Sequence, residues 1–126
     1  MTSLALSAVV LGGLANLALA LIHLAAMRSL KPVPPTAANL GYIRATNVRY
    51  VYLYALFAAL SFAFARPLVM TGLGIAVSAG ICGLLLIQTV IFFLNPELRG
   101  KTNRRTVFTV IGAVCYAYSV YVGLVL

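Results

Sequence analysis

Apolar residues run along most of this chain in long segments, and most polar residues are gathered between them. A helix needs about 20 predominantly apolar residues to cross a bilayer. Four segments reach this length, and each is predicted to form a membrane-spanning helix: 4–27, 37–65, 67–94 and 106–126. The pattern therefore predicts an all-α integral membrane protein, a four-transmembrane-helix bundle that forms a single membrane domain over residues 1–126.

The connections between the segments carry signals that end helices. Residues 31–35 read KPVPP, which cannot continue a helix, and Thr36 after them is a suitable N-cap for the second helix. Arg66 and Pro67 predict a tight turn between the second and third spans, with the proline in a tolerated first-turn position. Residues 95–105, NPELRGKTNRR, form the one clearly polar loop of the sequence.

Composition agrees with lipid as the solvent of this bundle. Of the 126 residues, 63% are hydrophobic and 8% are charged, whereas about a quarter of the residues of a soluble domain are charged. The net charge is +8, but most of the basic residues lie beside apolar runs, where Lys and Arg set topology and meet anionic lipid. We therefore expect membrane lipids as partners and no nucleic acid.

The distribution of basic residues predicts the orientation of the bundle. Only Arg66 falls on the side of the second connection. All the others fall on the side of the first and third connections: Arg28, Lys31, Arg44, Arg49, Arg99, Lys101, Arg104 and Arg105. Because cytoplasmic loops carry the excess of Lys and Arg, we predict two basic cytoplasmic connections and both termini outside, in a bacterial inner membrane.

Three polar residues lie inside the predicted spans. Asn16 and His23 are seven residues apart and share one face of the first helix, and Gln88 lies at a similar depth to His23 on the third. Such groups usually face the interior of a bundle. Two interpretations remain open: they hydrogen-bond between helices as structural contacts, or they serve a ligand, a proton or a transport path.

Several kinds of chemistry are excluded by counting. The chain has one histidine and one acidic residue, Glu97. A metal site within the chain, a pair of catalytic carboxylates and a Ser–His–Asp triad are therefore not expected. Catalysis, if present, would depend on Arg, Tyr or His stabilising an anion, or on a cosubstrate that brings its own nucleophile.

Small and polar residues form stripes on the third and fourth helices. Gly72, Ala76 and Gly80 are spaced by four residues on the third helix. A second stripe lies on the fourth: Thr109, Gly112, Tyr116, Ser119 and Gly123. Small residues at this spacing let helices approach closely. We interpret both stripes as packing surfaces, either inside one subunit or between subunits.

The entrance of the second helix, residues 39–57, reads NLGYIRATNVRYVYLYALF. Arg44, Asn47 and Tyr54 fall on one helical stripe, with Tyr50 at its edge and Arg49 nearby. The remaining basic residues expected at the same depth are Arg28, Arg104 and Arg105. In many membrane proteins such arginines only extend their charged ends to the membrane surface, or set the orientation of the helices. The alternative is a ligand-binding site for an anion at the cytoplasmic face.

This arrangement resembles the superfamily of membrane-associated proteins in eicosanoid and glutathione metabolism (MAPEG). The resemblance lies in four spans, an arginine ending span one, and IRATN with a nearby tyrosine in span two. It implies a homotrimer that binds glutathione as cosubstrate between subunits. The matching positions are Arg28, Arg44, Ala45, Asn47 and Tyr50, with Arg104 or Arg105 as the catalytic partner of the thiolate. The family normally has Glu where this chain has Tyr50.

The sequence thus predicts a small oligomeric inner-membrane protein that binds an anionic or amphiphilic ligand at its cytoplasmic face. A glutathione-dependent transferase or peroxidase is one form of this function. A non-catalytic accessory or lipid-binding subunit is another, and a small oligomeric transporter or channel is a third. The sequence leaves open whether the protein is an enzyme.

Overall fold

The computed structural model describes residues 1–28, 37–94 and 103–126, without the side chains of residues 37–43 and 103. The predicted basic connections therefore lie largely outside the described residues. The described chain forms five helices: α1 Thr2–Arg28, α2 Ala37–Ala63, α3 Ala65–Met70, α4 Gly72–Leu94 and α5 Asn103–Val125. The prediction of an all-α fold is confirmed for these residues.

Three of the helices, α1, α4 and α5, are long and apolar enough to cross a membrane. Large apolar side chains also cover the outward faces of the helices, among them Leu21, Leu73, Ile87 and Val114. Soluble monomers rarely expose contiguous apolar surface on this scale. The helix lengths and the exposed apolar surface together indicate insertion into a membrane.

The four long helices form an antiparallel bundle. His23 near the end of α1 contacts Asn47 near the start of α2. Ala5 and Val9 near the start of α1 pack with Val122 near the end of α5, and Gly123 near the end of α5 lies against Ile75 near the start of α4. α1 packs against both α2 and α5, and α5 packs against α4. The four helices therefore follow an up-down-up-down order, in which the start of α1 and the end of α5 lie at one end.

Two apolar clusters hold these helices together. The larger joins residues of α1, α2, α4 and α5 in the middle of the bundle: Leu19, Ala20, Tyr54, Ile81, Cys82, Leu85, Ala113 and Tyr116. The smaller joins α1, α3 and α5 at the end near the start of α1: Ala5, Val9, Leu68, Val69 and Val122. The tyrosines in the larger cluster bring hydroxyl groups into the otherwise apolar core.

The passage from α2 to α4 differs from the sequence prediction. Arg66 and Pro67 were expected to form a tight turn, but both lie within the short helix α3. The helical run is broken on either side of α3, at Phe64 (φ −125°, ψ 28°) and at Thr71, whose backbone is extended. The Thr71 hydroxyl donates to the Pro67 carbonyl over 2.8 Å and accepts from the Gly74 N–H over 3.0 Å, so it caps the start of α4. A Cβ at Gly74 would overlap the backbone of Pro67 and Leu68, so glycine is required for this close approach.

The two small-residue stripes have different surroundings. On α5, the residues from Thr109 to Ser119 in the stripe are buried against other helices of the same chain. On α4, Gly72, Ala76 and Gly80 are exposed, and a Cβ at either glycine would meet nothing within 4 Å. The α5 stripe is therefore a packing surface inside the subunit, and the α4 stripe faces outward.

Candidate functional site

The predicted arginines lie at one end of the bundle. Arg28 ends α1, Arg44 and Arg49 lie near the start of α2, and Arg104 and Arg105 lie at the start of α5. The antiparallel order brings these helix ends to the same side. All are exposed except Arg105, which is partly buried and lies within electrostatic range of His23 and Tyr54. We call this the arginine end.

Beneath the arginine end, His23 of α1 lies against an aromatic face of α2. Its ring stacks on Tyr50 and Tyr54 with centroid distances of 5.2 and 5.6 Å, and each ring is inclined by 23° to it. The His23 Nδ1 atom lies 3.1 Å from the Asn47 Oδ1 atom. Residues that sequence reasoning assigned to two separate sets, the intramembrane polar group and the ligand-binding group, therefore form one cluster.

The His23–Asn47 contact fixes the tautomer of the histidine. The Asn47 Oδ1 atom can only accept, so His23 Nδ1 must carry the proton and donate it. In the neutral ring, Nε2 is then an acceptor. This atom is buried and has no hydrogen-bond partner within the described residues.

Gln88 links α4 to this cluster. The Tyr54 hydroxyl donates a hydrogen bond to the Gln88 Oε1 atom. Tyr54 is fully buried and Gln88 is partly buried. In contrast with the extensive packing of α1 on its neighbours, α2 and α4 make few direct contacts along the described chain. The Tyr54–Gln88 bond therefore bridges two helices that are otherwise separated by a cleft.

The cleft between α2 and α4 has a volume of about 490 Å³. Its polar lining residues are Tyr50 and Gln88, and the others are small or apolar: Gly80, Gly83, Leu84, Ile87 and Ile91. Gly80 lies near the middle of α4, whereas Ile91 lies close to the end of α4 that is beside the arginine end. Both polar groups thus lie in the half of the cleft nearer the arginine end, which Ile87 and Ile91 also line, and the half toward the middle of the bundle is formed by Gly80, Gly83 and Leu84. We call it the α2–α4 cleft.

Asn16 belongs to a second, deeper network. Its Nδ2 atom donates to the Tyr116 hydroxyl over 2.9 Å, and that hydroxyl lies 2.6 Å from the Ser61 Oγ atom. Ser61 donates to the Phe57 carbonyl over 2.8 Å. Since Ser61 has a single proton, Tyr116 must donate to Ser61. The chain of donors therefore runs from α1 through α5 to α2.

The two networks are separate. Asn16 and His23 are about 10 Å apart along α1 by the helical rise. The apolar residues Leu19 and Ala20 lie between them and belong to the central core. The Asn16 Oδ1 atom has no hydrogen-bond partner in the described chain. Asn16 is thus enclosed by its contacts with other helices and is suited to a structural function. The cluster around His23, in contrast, reaches the cleft through Tyr50.

Sequence reasoning missed the roles of Ser61 and Tyr116. Tyr116 was interpreted only as part of a packing stripe, and Ser61 was not singled out. Each carries a hydroxyl in the interior of a long apolar segment, and such groups usually need a partner on another helix. A search for hydroxyls at matching depths would have paired them with Asn16.

The site offers hydrogen-bond donors and positive charge but few nucleophiles. Cys82 is buried and Cys115 partly buried, and both are free thiols. The residues that the structure describes contain no group of three His, Cys, Asp or Glu side chains that could hold a metal ion.

Comparison of the chain with protein-family models, with curated proteins and with solved structures gave no match.

Proposed function

We propose that this chain is a four-span membrane protein that binds an amphiphile with an anionic headgroup. The headgroup lies at the arginine end, and the apolar part of the ligand lies in the α2–α4 cleft. The observation that carries this proposal is the position of the two polar lining residues, Tyr50 and Gln88, in the half of the cleft nearer the arginine end, with Gly80 and Gly83 in the other half. An amphiphile likewise has its polar groups toward one end.

The size and position of the cleft support an apolar tail. Its volume of about 490 Å³ is within the range of small-molecule sites, about 300–1,000 Å³. The cleft opens on the outer face of the bundle, between helices that make few direct contacts. A ligand dissolved in the bilayer can therefore enter it sideways, without passing through water.

The charge balance supports an anionic headgroup. The chain has nine basic residues and a single acidic one, Glu97, so most of the arginines lack an acidic side chain of the same chain to pair with. Arginine binds phosphate and carboxylate groups in a bidentate geometry. Arg105 is the member of the arginine end that is partly buried, so its charge acts nearest to the cluster around His23.

The four-span arrangement is part of the proposal, with α2 as the additional span. α2 has 27 residues, which gives a length of about 40 Å, more than the hydrocarbon thickness of about 30 Å. The excess of about 10 Å spans about seven residues from Ala37, so Arg44 reaches the headgroup region directly, and Arg49, about 8 Å deeper along the helix, reaches it by extending its side chain toward the headgroups. By the positive-inside rule, the arginine end faces the cytoplasm of a bacterial cell and both termini lie outside.

Self-association is a further part of the proposal. The outward stripe of Gly72, Ala76 and Gly80 on α4 has room for another helix, and small residues at such spacing support close packing of helices in membranes. A trimer is the state that the resemblance to the MAPEG superfamily implies. Cross-linking in the membrane tests it, with Ala76→Leu as a variant that obstructs the stripe, because Ala76 is exposed and does not line the cleft.

Thermal unfolding in a non-ionic detergent tests ligand binding. Phosphatidylglycerol is compared with phosphatidylcholine of the same acyl chains, because a ligand that binds only the folded state raises Tm. We expect the anionic lipid to raise Tm more than the zwitterionic one. The difference in Tm between the two lipids should become smaller in Arg44→Gln and in Arg105→Gln. It should persist in Arg66→Gln, which removes the same charge at the opposite end of the bundle.

Equal stabilisation by both lipids in the wild-type protein would contradict the proposal. Glutathione is added as the third ligand in the same Tm measurement, because it is the anionic cosubstrate that the family resemblance implies. Stabilisation by glutathione that disappears in Arg44→Gln, with no preference for the anionic lipid, would favour the glutathione-dependent enzyme and would call for a conjugation assay.

A further inference from the structure

Two hydrogen-bonding groups in the α2–α4 cleft have no partner within the described part of the chain. Gln88 uses its Oε1 atom to accept from Tyr54, so both N–H donors of its Nε2 atom remain. The Tyr50 ring stacks on His23 and Tyr54, and its hydroxyl forms no hydrogen bond with any described residue. Both side chains line the cleft. The cleft therefore presents donors to whatever fills it.

These donors lie at a depth in the bilayer where an unpaired N–H or O–H group is unfavourable. Gln88 lies about 9 Å from Leu94 at the end of α4, and Tyr50 lies about 9 Å from Arg44 on α2, by the helical rise. On the proposed placement in the bilayer, both groups are below the headgroups, where little water is present. An N–H donor in hydrocarbon is unfavourable without an acceptor. The occupant of the cleft should therefore carry an acceptor oxygen at this depth.

We propose that the ligand is an acyl glycerophospholipid, and that one of its ester carbonyls accepts a hydrogen bond from the Gln88 Nε2 atom. This inference rests on the proposed function and specifies the class of amphiphile. Along the bundle, the arginines come first, the donors of Gln88 and Tyr50 lie deeper, beside Ile87 and Ile91, and the residues from Gly80 to Leu84 line the deepest part of the cleft. Along a glycerophospholipid, the order is phosphate, then ester, then acyl chain. The phosphate thus lies at the arginines, the ester at the hydrogen-bond donors and the acyl chain at the apolar lining.

Other anionic amphiphiles match this order less well. A fatty acid has its only oxygens in the headgroup, and an isoprenoid phosphate has no acceptor between its phosphate and its hydrocarbon. Either ligand would leave the Gln88 donors unpaired when its anion is at the arginine end. An ether phospholipid keeps the phosphate and the chains but replaces the ester carbonyl with an ether oxygen, which is a poorer acceptor. The ether lipid is therefore the sharpest comparison.

The experiment measures the apparent Kd of diester and diether phosphatidylglycerol with matched chain lengths. Native mass spectrometry of the detergent-solubilised full chain reports binding of each lipid. For the wild-type protein, we expect the diester lipid to bind about three- to ten-fold more tightly, the contribution of one hydrogen bond. In Gln88→Met, which keeps an unbranched side chain but has no amide, we expect the two lipids to bind equally.

Tyr52→Phe is the matched control. Tyr52 lies on α2 and is 70% exposed, and it does not line the cleft, so the preference for the diester lipid should persist. Equal binding of both lipids by the wild-type protein would overturn this inference and leave the proposed function standing. Loss of the preference in Tyr52→Phe as well as in Gln88→Met would also overturn it, because the preference would then not depend on the Gln88 amide. Failure of both lipids to bind would overturn the proposed function itself.

Discussion

The Asn16 side chain donates a hydrogen bond of 2.9 Å to the Tyr116 hydroxyl, and this bond joins α1 to α5 inside the bundle. Both residues are fully buried. The hydroxyl in turn donates to Ser61 of α2, so a single phenol connects three helices. Hydrogen bonds of this kind are more directional than apolar packing, and they fix the rotation of each helix about its axis.

Removing the hydroxyl should therefore lower stability. Tyr116→Phe keeps the ring and leaves the Asn16 amide and the Ser61 Oγ atom without their partner. We expect the free energy of unfolding to fall by about 1–2 kcal/mol, measured by denaturation with SDS in mixed micelles and followed by circular dichroism. Tyr121→Phe is the control, because Tyr121 lies on the same helix and is 58% exposed.

A double-mutant cycle isolates the bond itself. Asn16→Ala and Tyr116→Phe are measured singly and together, and the coupling energy should be about 0.5–2 kcal/mol. Additive losses would show that the two side chains act independently, and the bond would then contribute nothing to the stability of the fold.

Glycine substitutions on α4 should separate close contact from open surface. Gly74→Ala places a methyl group against the backbone of Pro67 and Leu68, which cannot move like the end of a side chain. We expect a loss of about 1–3 kcal/mol, as for overpacking in a core. Gly80→Ala meets nothing within 4 Å and should be neutral or slightly stabilising, because alanine favours the helix. Similar Tm values for the two variants would contradict the packing of α3 on α4.

The His23–Asn47 pair gives a further prediction. Asn47→Leu removes the acceptor of the His23 Nδ1 proton and leaves a buried donor without its partner, so Tm should fall. Changing His23 to Phe in the same chain removes that donor and should recover part of the loss. Val48→Leu, at an exposed neighbouring position, is the control. A double variant less stable than Asn47→Leu would show that the ring has another role.

Thiol labelling tests the proposed orientation. In a chain with Cys82→Ala and Cys115→Ala, a single cysteine replaces Arg66 or Arg104, which lie at opposite ends of the bundle. A membrane-impermeant maleimide should label the Arg66→Cys chain in intact cells and the Arg104→Cys chain only after permeabilisation. The reverse pattern would invert the topology, and labelling of both in intact cells would contradict four spans.

The sequence predicted the helical class because long apolar runs are a strong signal, but it could not assign neighbours. Asn16 and His23 share a face of α1 by their spacing, yet Asn16 bonds to α5 and His23 to α2. The spacing of two residues along a helix shows whether their side chains point to the same side of that helix. Which helix lies in that direction depends on the packing of the whole bundle, and the pairing of Tyr54 with Gln88 was hidden for the same reason.

Local breaks were also difficult to predict. Pro67 correctly indicated an interruption near the end of α2, since it cannot donate a backbone hydrogen bond. A second break occurs at Thr71, and threonine is common both within membrane helices and at their caps. Only the structure shows that its hydroxyl closes the corner by bonding to Pro67 and Gly74.

The separation of 100 positions between Asn16 and Tyr116 has a consequence for biosynthesis. At a translation rate of about 5–20 residues per second, roughly 5–20 s pass between the synthesis of the two residues. During this interval α1 can enter the bilayer while its buried amide still awaits a partner. Insertion of α1 and completion of the core are therefore separate stages, and a nascent chain stalled before α5 would expose polar groups that a membrane chaperone can recognise.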